Sequence, residues 1–461
     1  MRRLFPKCSL FDSIFLIALL VVALFQIWQR ANVTAGGLLA STADALVLLA
    51  VVGTAAYAVL HAFLWASRRI ARSYGVHLGP WGSDTALDSF IKALRRRLAR
   101  SAGGGSPSAR GRSQALFGAA LGESGTRRND AEALRQSAEA FRQSIASLRK
   151  SGKDWTRAQS NLAVTLLHLS RQEIGRQSLD EAAEALRDVA EALEKAQDLS
   201  DWVDVQFLLC AVLTRLGRLE EDAKTLTAAV AAGRAALAAE DNRAVPMAEA
   251  RLQINLAEAL VALGEREQDS ERLEEALALA RGSLQVIAED GDGILDAEES
   301  LVWRSLQMGN LGSALRCLGE LRQDDGLLRE AAETFRTAVA LETAKNAYDR
   351  ALLQEELAGV LSALGAHEEA LLASDAALSI LTREAFPLDW AGATATRGAC
   401  LAAADESPSA LPTLRRVHDD LKAALALLDQ ADLSEPRRRC RRALDLVTAG
   451  LAAAGGRSPE S

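Results

Sequence analysis

The sequence predicts an all-α protein in which an N-terminal transmembrane helical hairpin precedes an α-solenoid, or superhelix, of stacked helix pairs. Two long apolar runs lie near the N-terminus, and helix-patterned segments recur about every 47 residues through the rest of the chain. Of the 461 residues, 49% are hydrophobic but only 5% aromatic, a composition typical of helices. We therefore expect an anchor at 1–66, a basic helix and Gly/Ser linker at 67–112, repeats at 113–405, and capping helices with a tail at 406–461.

The anchor consists of two predicted transmembrane helices, at 10–28 and 45–66, each long enough to cross the hydrocarbon core. The loop between them carries only Arg30 as a cation. Other cations stand before the first span and after the second: Arg2, Arg3, Lys7, Arg68, Arg69 and Arg72. The positive-inside rule then places both termini and the repeats in the cytoplasm. The predicted localisation is a bacterial inner membrane, with the protein integral to it.

Two features of the anchor leave alternatives open. Small residues at Val33-Thr34-Ala35 would also suit a signal peptidase, so the first span could be a cleaved signal peptide. The second span carries a ridge of small residues at Ala50, Thr54, Ala58 and Ala62. Such a ridge allows close packing of another membrane helix, although an alanine-rich sequence alone would give the same spacing.

A basic amphipathic helix is predicted directly after the anchor, beginning near Asp84. Its apolar stripe includes Leu87 and Leu94. Beside the stripe lie five cations, Lys92, Arg95, Arg96, Arg97 and Arg100. This arrangement predicts contact with the anionic inner leaflet of the bilayer.

The charge of the chain is divided between its two parts. Residues 1–112 hold 14 Lys/Arg and 4 Asp/Glu, a net charge of +10. Since the whole chain has a net charge of −8, residues 113–461 carry −18. We therefore predict no nucleic-acid partner for the repeat region.

The repeats are marked by helix-patterned segments that end in an apolar residue followed by glycine. Counting back eight residues from each gives equivalent positions 113, 161, 208, 255, 310 and 356, with a less regular unit around Thr396. No helix pair can bury its apolar stripe alone, so neighbouring pairs must stack. We expect glycine to end each first helix with a positive φ. In a second helix, Ala331 and Ala338 allow close packing and Phe335 fills the space beside them.

This pattern resembles the tetratricopeptide repeat, in a bacterial-type variant with longer helices and loops than usual. The resemblance rests on the Asn-Leu-Ala/Gly steps, the Leu-Gly steps and the aromatic residues that open the first helices. It covers roughly residues 108–405. It implies a protein or peptide partner held in the concave groove, which the first helices line.

The resemblance also implies contact residues for that partner. Asn161, Asn255 and Asn310 stand at the position that faces the groove in the family, and Arg157 and Arg251 lie four residues earlier on the same helix face. We predict that these five residues contact the partner. The alternative is that they belong to an ordinary solvated helix face.

Motifs for catalysis, metal ions or cofactors are missing from the sequence. The five cysteines lack CxxC spacing, and the five histidines show neither HxxxH nor HExxH spacing. Neither a P-loop nor a nucleophile elbow occurs. We therefore predict a protein that is not an enzyme and that needs no cofactor or metal. The oligomeric state is not predicted.

Two functions fit these features. In the first, a membrane-anchored cytoplasmic scaffold or adaptor binds a protein or peptide through its repeats. In the second, the chain is a non-catalytic subunit of a membrane complex for transport or envelope synthesis, and the transmembrane hairpin makes the essential contacts.

Overall fold

The computed structural model describes residues 84–100, 106–148, 152–239, 246–289, 297–341, 347–404, 411–431 and 433–456, all within one compact unit. The regular secondary structure of these ranges is entirely helical, which confirms the all-α prediction. The helices are α1 Asp84–Arg100, α2 Pro107–Arg128, α3 Ala131–Ser147, α4 Lys153–Leu169, α5 Gln177–Ala196, α6 Leu199–Gly217, α7 Lys224–Ala238, α8 Pro246–Glu267, α9 Ser270–Ala288, α10 Ala297–Arg322, α11 Asp325–Leu341, α12 Ala347–Ala363, α13 His367–Leu378, α14 Pro387–Ala404, α15 Leu411–Gln430 and α16 Ser434–Gly456.

The predicted transmembrane helices at 10–28 and 45–66 lie outside the described residues. The same is true of the small-residue ridge at Ala50, Thr54, Ala58 and Ala62. Within the described part of the chain, no helix has the length and apolar character that crossing a bilayer requires.

The helices from α2 to α13 form six consecutive antiparallel pairs, and each second helix also packs against the first helix of the next pair. The first helices of neighbouring pairs contact one another, most extensively α6 with α8, α8 with α10 and α12 with α14. This arrangement is a tandem-repeat α-solenoid, as predicted. In α11, Ala331, Phe335 and Ala338 are fully buried, which confirms their role in the close packing of that pair.

Four of the six pairs are held close by a glycine in the first helix and a leucine nine residues later, at the start of the second helix. A Cβ built on Gly264 would lie 2.8 Å from Cγ of Leu273, and one built on Gly319 would lie 2.8 Å from Cδ2 of Leu328. The same contact recurs at Gly125 with Leu134 and at Gly217 with Leu226. A methyl group at these glycines would overlap the leucine, so the distance between the paired helices depends on its absence.

The turn between paired helices also repeats. Gln268 and Gln323 adopt φ of 54°, which ends the first helix, and the following Asp269 and Asp324 each donate their backbone N–H to the carbonyl of the glycine five residues earlier, at 2.9 Å. The aspartate side chains then accept hydrogen bonds from the first backbone N–H groups of the second helix, at 2.8–3.3 Å. Asn129 and Asp130 form the same turn between α2 and α3.

The expected role of glycine as the helix-ending residue is therefore mostly wrong. Gly122, Gly264 and Gly319 lie inside their helices, and Gly217 is the last residue of α6. Only Gly365, which follows α12, has the expected positive φ, at 76°. Gly217, Gly264 and Gly319 are instead required by the close approach of a leucine, and after α8 and α10 a glutamine supplies the left-handed residue.

The first described helix, α1, packs on the repeats. Leu87 and Leu94 are buried against Ala120 of α2, and Arg128 forms two 3.0 Å hydrogen bonds with Asp88. The apolar stripe of α1 is thus covered by protein, because α2 offers it an apolar partner. The Gly/Ser linker also ends before 112, since Ser106 caps α2 and Pro107 begins it.

At the C-terminal end, α14 takes the position of a seventh first helix, and α15 and α16 both pack against it. The core of this part includes Leu421, Leu428 and Val447, all fully buried. The stack therefore ends in a three-helix unit of α14, α15 and α16, which all contact one another.

Three buried cysteines lie where one first helix crosses the next, or where α16 meets α14. The thiol of Cys210 faces the carbonyl of Asn255 at 3.4 Å, that of Cys400 faces Ala358 at 3.6 Å, and that of Cys440 faces Ala391 at 3.3 Å. Burial raises the pKa of Cys210 to about 12 and that of Cys440 to about 11. Both therefore remain uncharged thiols that fill these crossings.

We predict opposite effects on stability for two Gly→Ala substitutions. Gly264→Ala should lower the free energy of unfolding by about 1–3 kcal/mol, because its methyl group would overlap the buried Leu273. Gly282→Ala should raise it by about 0.5–1 kcal/mol, because Gly282 has no atom within 4 Å of an added Cβ and alanine favours the helix. Urea denaturation followed by circular dichroism measures both. Equal effects of the two substitutions would contradict this account of the helix spacing.

Candidate functional site

A cleft of about 650 Å³ opens where two loops that are distant in sequence approach each other. The loop between α4 and α5 forms one wall, with Arg135 of α3 beside it. The opposite wall is the loop between α13 and α14, with Leu427 of α15. Its volume falls in the range of pockets that hold small molecules or a few side chains of a peptide. We call it the loop cleft.

The loop cleft exists because one helix pair departs from the common turn. Ser170, which is 1% exposed, replaces glycine nine residues before Leu179. Gly175 stands where other pairs have aspartate, and it adopts φ of 129°, a value that favours glycine. An added Cβ at Gly175 would meet nothing within 4 Å, so the backbone is open on that side. The loop leaves Ile174 40% exposed in the wall of the cleft.

Charged side chains surround this apolar residue. Nε of Arg135 donates to Glu173 at 3.0 Å, and the hydroxyl of Ser178 donates to the same carboxylate at 2.9 Å. On the other wall, the guanidinium of Arg383 lies 5.7 Å from the ring centroid of Trp390. An apolar contact beside oriented charged groups suits a peptide with an apolar side chain between polar ones.

A second set of polar residues lies on the first helices of the pairs and on α14, which we call the inner helices. It joins parts of the chain that are far apart in sequence. Nη2 of Arg215, in α6, is 3.4 Å from Asp389 of α14, and Nη1 of Arg215 is 3.4 Å from the hydroxyl of Tyr348 in α12. That hydroxyl donates to Asp389 at 2.9 Å. The guanidinium of Arg171 stacks over the Tyr348 ring, 4.7 Å from its centroid. Burial raises the pKa of Tyr348, so its hydroxyl remains a donor.

Arg316 in α10 is the centre of a neighbouring group of ion pairs. Its guanidinium contacts Glu265 at 3.0 Å, Glu356 at 3.1 Å and Glu320 at 3.1 Å, and its side chain is 14% exposed. Burial alone would raise the pKa of Glu265, but the positive charges of Arg316 and Arg218 outweigh this and hold it at about 2.

The pKa of Glu355 in α12 is shifted in the opposite direction, above its ordinary value. Its carboxylate contacts Arg439 of α16 at 3.2 Å and accepts the hydroxyl of Thr396 at 3.2 Å. Burial raises the pKa of Glu355 to about 7, and the negative charges of Glu356 and Asp389 act in the same direction against the attraction of Arg439. At neutral pH this side chain is therefore partly protonated.

Two of the predicted contact residues are occupied within the protein. Arg251 is 3% exposed, contacts Asp204 of α6 at 2.5 Å and stacks over Phe207 with its guanidinium 4.5 Å from the ring centroid. Nδ2 of Asn255 donates to the carbonyl of Phe207 at 3.0 Å. Both side chains thus join α8 to the first helix of the preceding pair.

Asn310 makes the same kind of contact, since its Nδ2 donates to the carbonyl of Ile254 at 2.9 Å. Asn161 is partly exposed and Arg157 is exposed. The residue 47 positions before Arg157 is Arg110, where α6 has Asp204, so Arg157 lacks the acidic partner that buries Arg251. Of the five predicted contact residues, three therefore lie between helices and two face solvent. A partner contact at these five positions stays a prediction.

Sequence reasoning missed the residues of the inner ion pairs and of the loop cleft. Arg215 and Asp389 lie 174 residues apart, and Glu355 and Arg439 lie 84 apart. Single charged residues on helices give no local signal for such contacts. The departure of the 170–179 turn from its repeat could have indicated the cleft. Over the ranges that the structure describes, no three His, Cys, Asp or Glu side chains are grouped so as to hold a metal ion.

No family model matches the sequence, and no curated protein matches it. Among solved structures, the chain is similar to a circular tandem repeat protein with a novel repeat topology, at 19% identity and a TM-score of 0.28, over 80% of this chain and 90% of that one. It is also similar to a Rap protein complexed with Competence and Sporulation Factor, at 14% identity and a TM-score of 0.37, over 79% of this chain and 99% of that one.

A third similar structure is a signal transduction ATPase with numerous domains and a tetratricopeptide repeat sensor, from Pyrococcus horikoshii. It shares 12% identity with a TM-score of 0.39, over 81% of this chain and 52% of that one. All three are too distant to assign a family or an activity. The helix pairs of this chain make it a tandem-repeat helical protein on their own evidence.

We predict a pH-dependent effect of Glu355→Gln on stability. The folded-state pKa of about 7 lies above the ordinary value of 4.5, so ionisation of Glu355 lowers the stability of the fold as pH rises through this interval. Glutamine cannot ionise. Its stabilising effect relative to glutamate should therefore be larger at pH 8 than at pH 5.5, by about 2 kcal/mol.

Urea denaturation of both proteins at the two pH values measures this difference. Glu369→Gln is the control, because Glu369 is an exposed carboxylate on α13 that pairs with Arg336 of α11. Its effect on the free energy of unfolding should not differ comparably between the two pH values. The interpretation fails if Glu355→Gln shifts the free energy of unfolding equally at pH 5.5 and pH 8.

Proposed function

We propose that this chain is a non-catalytic scaffold that holds a protein or peptide partner beside a bacterial inner membrane. The repeats bind the partner on the cytoplasmic side, and the hairpin formed by 10–28 and 45–66 anchors them to the bilayer. The observation that carries the proposal is the loop cleft, which exposes Ile174 between oriented charged groups.

The loop cleft fits a peptide better than the predicted asparagine row does. Arg251, Asn255 and Asn310 use their polar groups within the protein, so a partner there would have to compete with existing hydrogen bonds. In the loop cleft, Ile174 already lies exposed and loses only solvent on binding. Arg157 and Asn161 remain available as additional contacts on α4.

Membrane attachment is supported by the composition of 1–66 and by the charge of α1. Its cations Lys92, Arg95, Arg96, Arg97 and Arg100 are exposed, while its apolar stripe is covered by α2. We propose that α1 contacts the anionic leaflet through charge alone. Such a contact weakens as ionic strength rises.

Site-specific photo-crosslinking in cells tests the partner site. A photoreactive amino acid at position 174 of the full-length protein should form adducts with one recurrent protein, identified by mass spectrometry. The control position is Leu372, which is 66% exposed on α13 outside the loop cleft. Adducts of the same protein in equal yield from both positions would contradict the assignment of the cleft.

Exchange of the anchor separates the two candidate functions. A scaffold should keep its activity when residues 1–66 are replaced by an unrelated two-span membrane anchor. A subunit that works through its transmembrane hairpin should lose activity, although its crosslinks at position 174 persist.

A further inference from the structure

The last helix of the chain carries a concentration of positive charge on an otherwise acidic body. Five of the six residues from Arg437 to Arg442 are arginines, in a region whose net charge is −18 over 113–461. The exception, Cys440, is fully buried, and with Ala443 and Val447 it forms the stripe that packs α16 on the core. The other faces of the helix carry the arginines, away from that stripe.

Four of these arginines line a single small cleft. Arg437, Arg438, Arg441 and Arg442 surround a space of about 280 Å³. The rest of its lining is Ser434 and Asp445 of α16 and Glu221 of the loop between α6 and α7. The fifth, Arg439, instead contacts Glu355 on the inner helices. We call this space the arginine cleft.

The two walls of the arginine cleft are attached to each other. The backbone N–H of Glu435 donates to the carbonyl of Leu219 at 3.5 Å, which fixes the start of α16 beside the α6–α7 loop. Leu219 also packs against the C-terminal core. The cleft is therefore held by a contact between segments that are more than two hundred residues apart in sequence.

The charges in the cleft are only partly compensated. Arg438 pairs with Glu435, and Arg437 lies 3.5 Å from Asp429. Arg441 and Arg442 are both exposed, and they have no carboxylate partner within 4.0 Å among the residues the structure describes. Glu221 and Asp445 also line the cleft, and Arg441 and Arg442 are the two guanidinium groups that remain without an ion pair to a described residue and can bind an anion.

We propose that the arginine cleft binds a phosphate monoester through Arg441 and Arg442. A guanidinium group presents two parallel N–H donors whose geometry matches phosphate oxygens, and two adjacent arginines can bind one phosphate from two sides. The volume of the cleft is sufficient for a phosphate group. Either a soluble phosphorylated molecule or a phospholipid headgroup can supply this chemistry.

Protection from arginine modification tests the proposal on the full-length protein in detergent. The probes are O-phosphoserine for a soluble source and dioctanoyl phosphatidic acid for a lipid source. Phenylglyoxal labelling at Arg441 and Arg442, read by mass spectrometry, should slow at least threefold with one or both probes. Arg415 and Arg416 are the internal control, because they are adjacent, exposed arginines on α15 that do not line the cleft.

Calorimetric titration of variants gives the second measurement. Arg441→Ala with Arg442→Ala should weaken binding of the effective probe at least about tenfold, since it removes charge-assisted hydrogen bonds. Arg415→Ala with Arg416→Ala should leave the affinity unchanged. Protection by phosphatidic acid alone assigns a lipid source, and protection by phosphoserine assigns a soluble one. Equal protection of both arginine pairs, or none by either probe, would overturn the proposal.

Discussion

The contact between a glycine and a leucine nine residues later sets the geometry on which the rest of the structure depends. In four helix pairs, a leucine of the second helix rests on the backbone of the first, at the place where any other residue would carry a Cβ. The pair is therefore close enough to bury both stripes, and the next pair can stack on it. The turn that follows, with its left-handed glutamine or asparagine and its capping aspartate, keeps the same leucine in register.

Stacking also brings charged side chains of the inner helices into contact with one another. Some of these side chains contact helices that are distant in the sequence, and the residues in contact are charged instead of apolar. Arg215 with Asp389, and Glu355 with Arg439, are examples. Such contacts add little stability, because burial of each charge costs about as much as the pairing returns. Their effect is directional: each guanidinium has few acceptable positions, so they fix how distant pairs face one another. The loop cleft lies beside this set, since Pro387 lines the cleft two residues before Asp389.

The sequence was sufficient to predict the helical repeats, because apolar spacing and period depend on neighbouring residues. Phe335 and its two alanines are buried as their spacing indicates. The role of the glycines does not follow from the sequence, because a Leu-Gly step looks the same whether its glycine ends a helix or makes room for a leucine of the next helix. Arg251 is buried against Asp204, which lies 47 residues earlier, and local spacing does not reveal such a contact. The apolar stripe of α1 is covered by α2, which its amphipathic pattern alone does not indicate. These features share a cause, in that each depends on a contact between different helices.

The buried thiols at the helix crossings can report how often each crossing opens. Cys210 and Cys440 lie in different parts of the stack, and each is protonated and enclosed by a neighbouring helix. An alkylating reagent can reach either sulfur only when that crossing separates, so the labelling rate of each cysteine reports the opening frequency of its own junction. The opening of each junction can thereby be followed separately through a cysteine that the chain already contains.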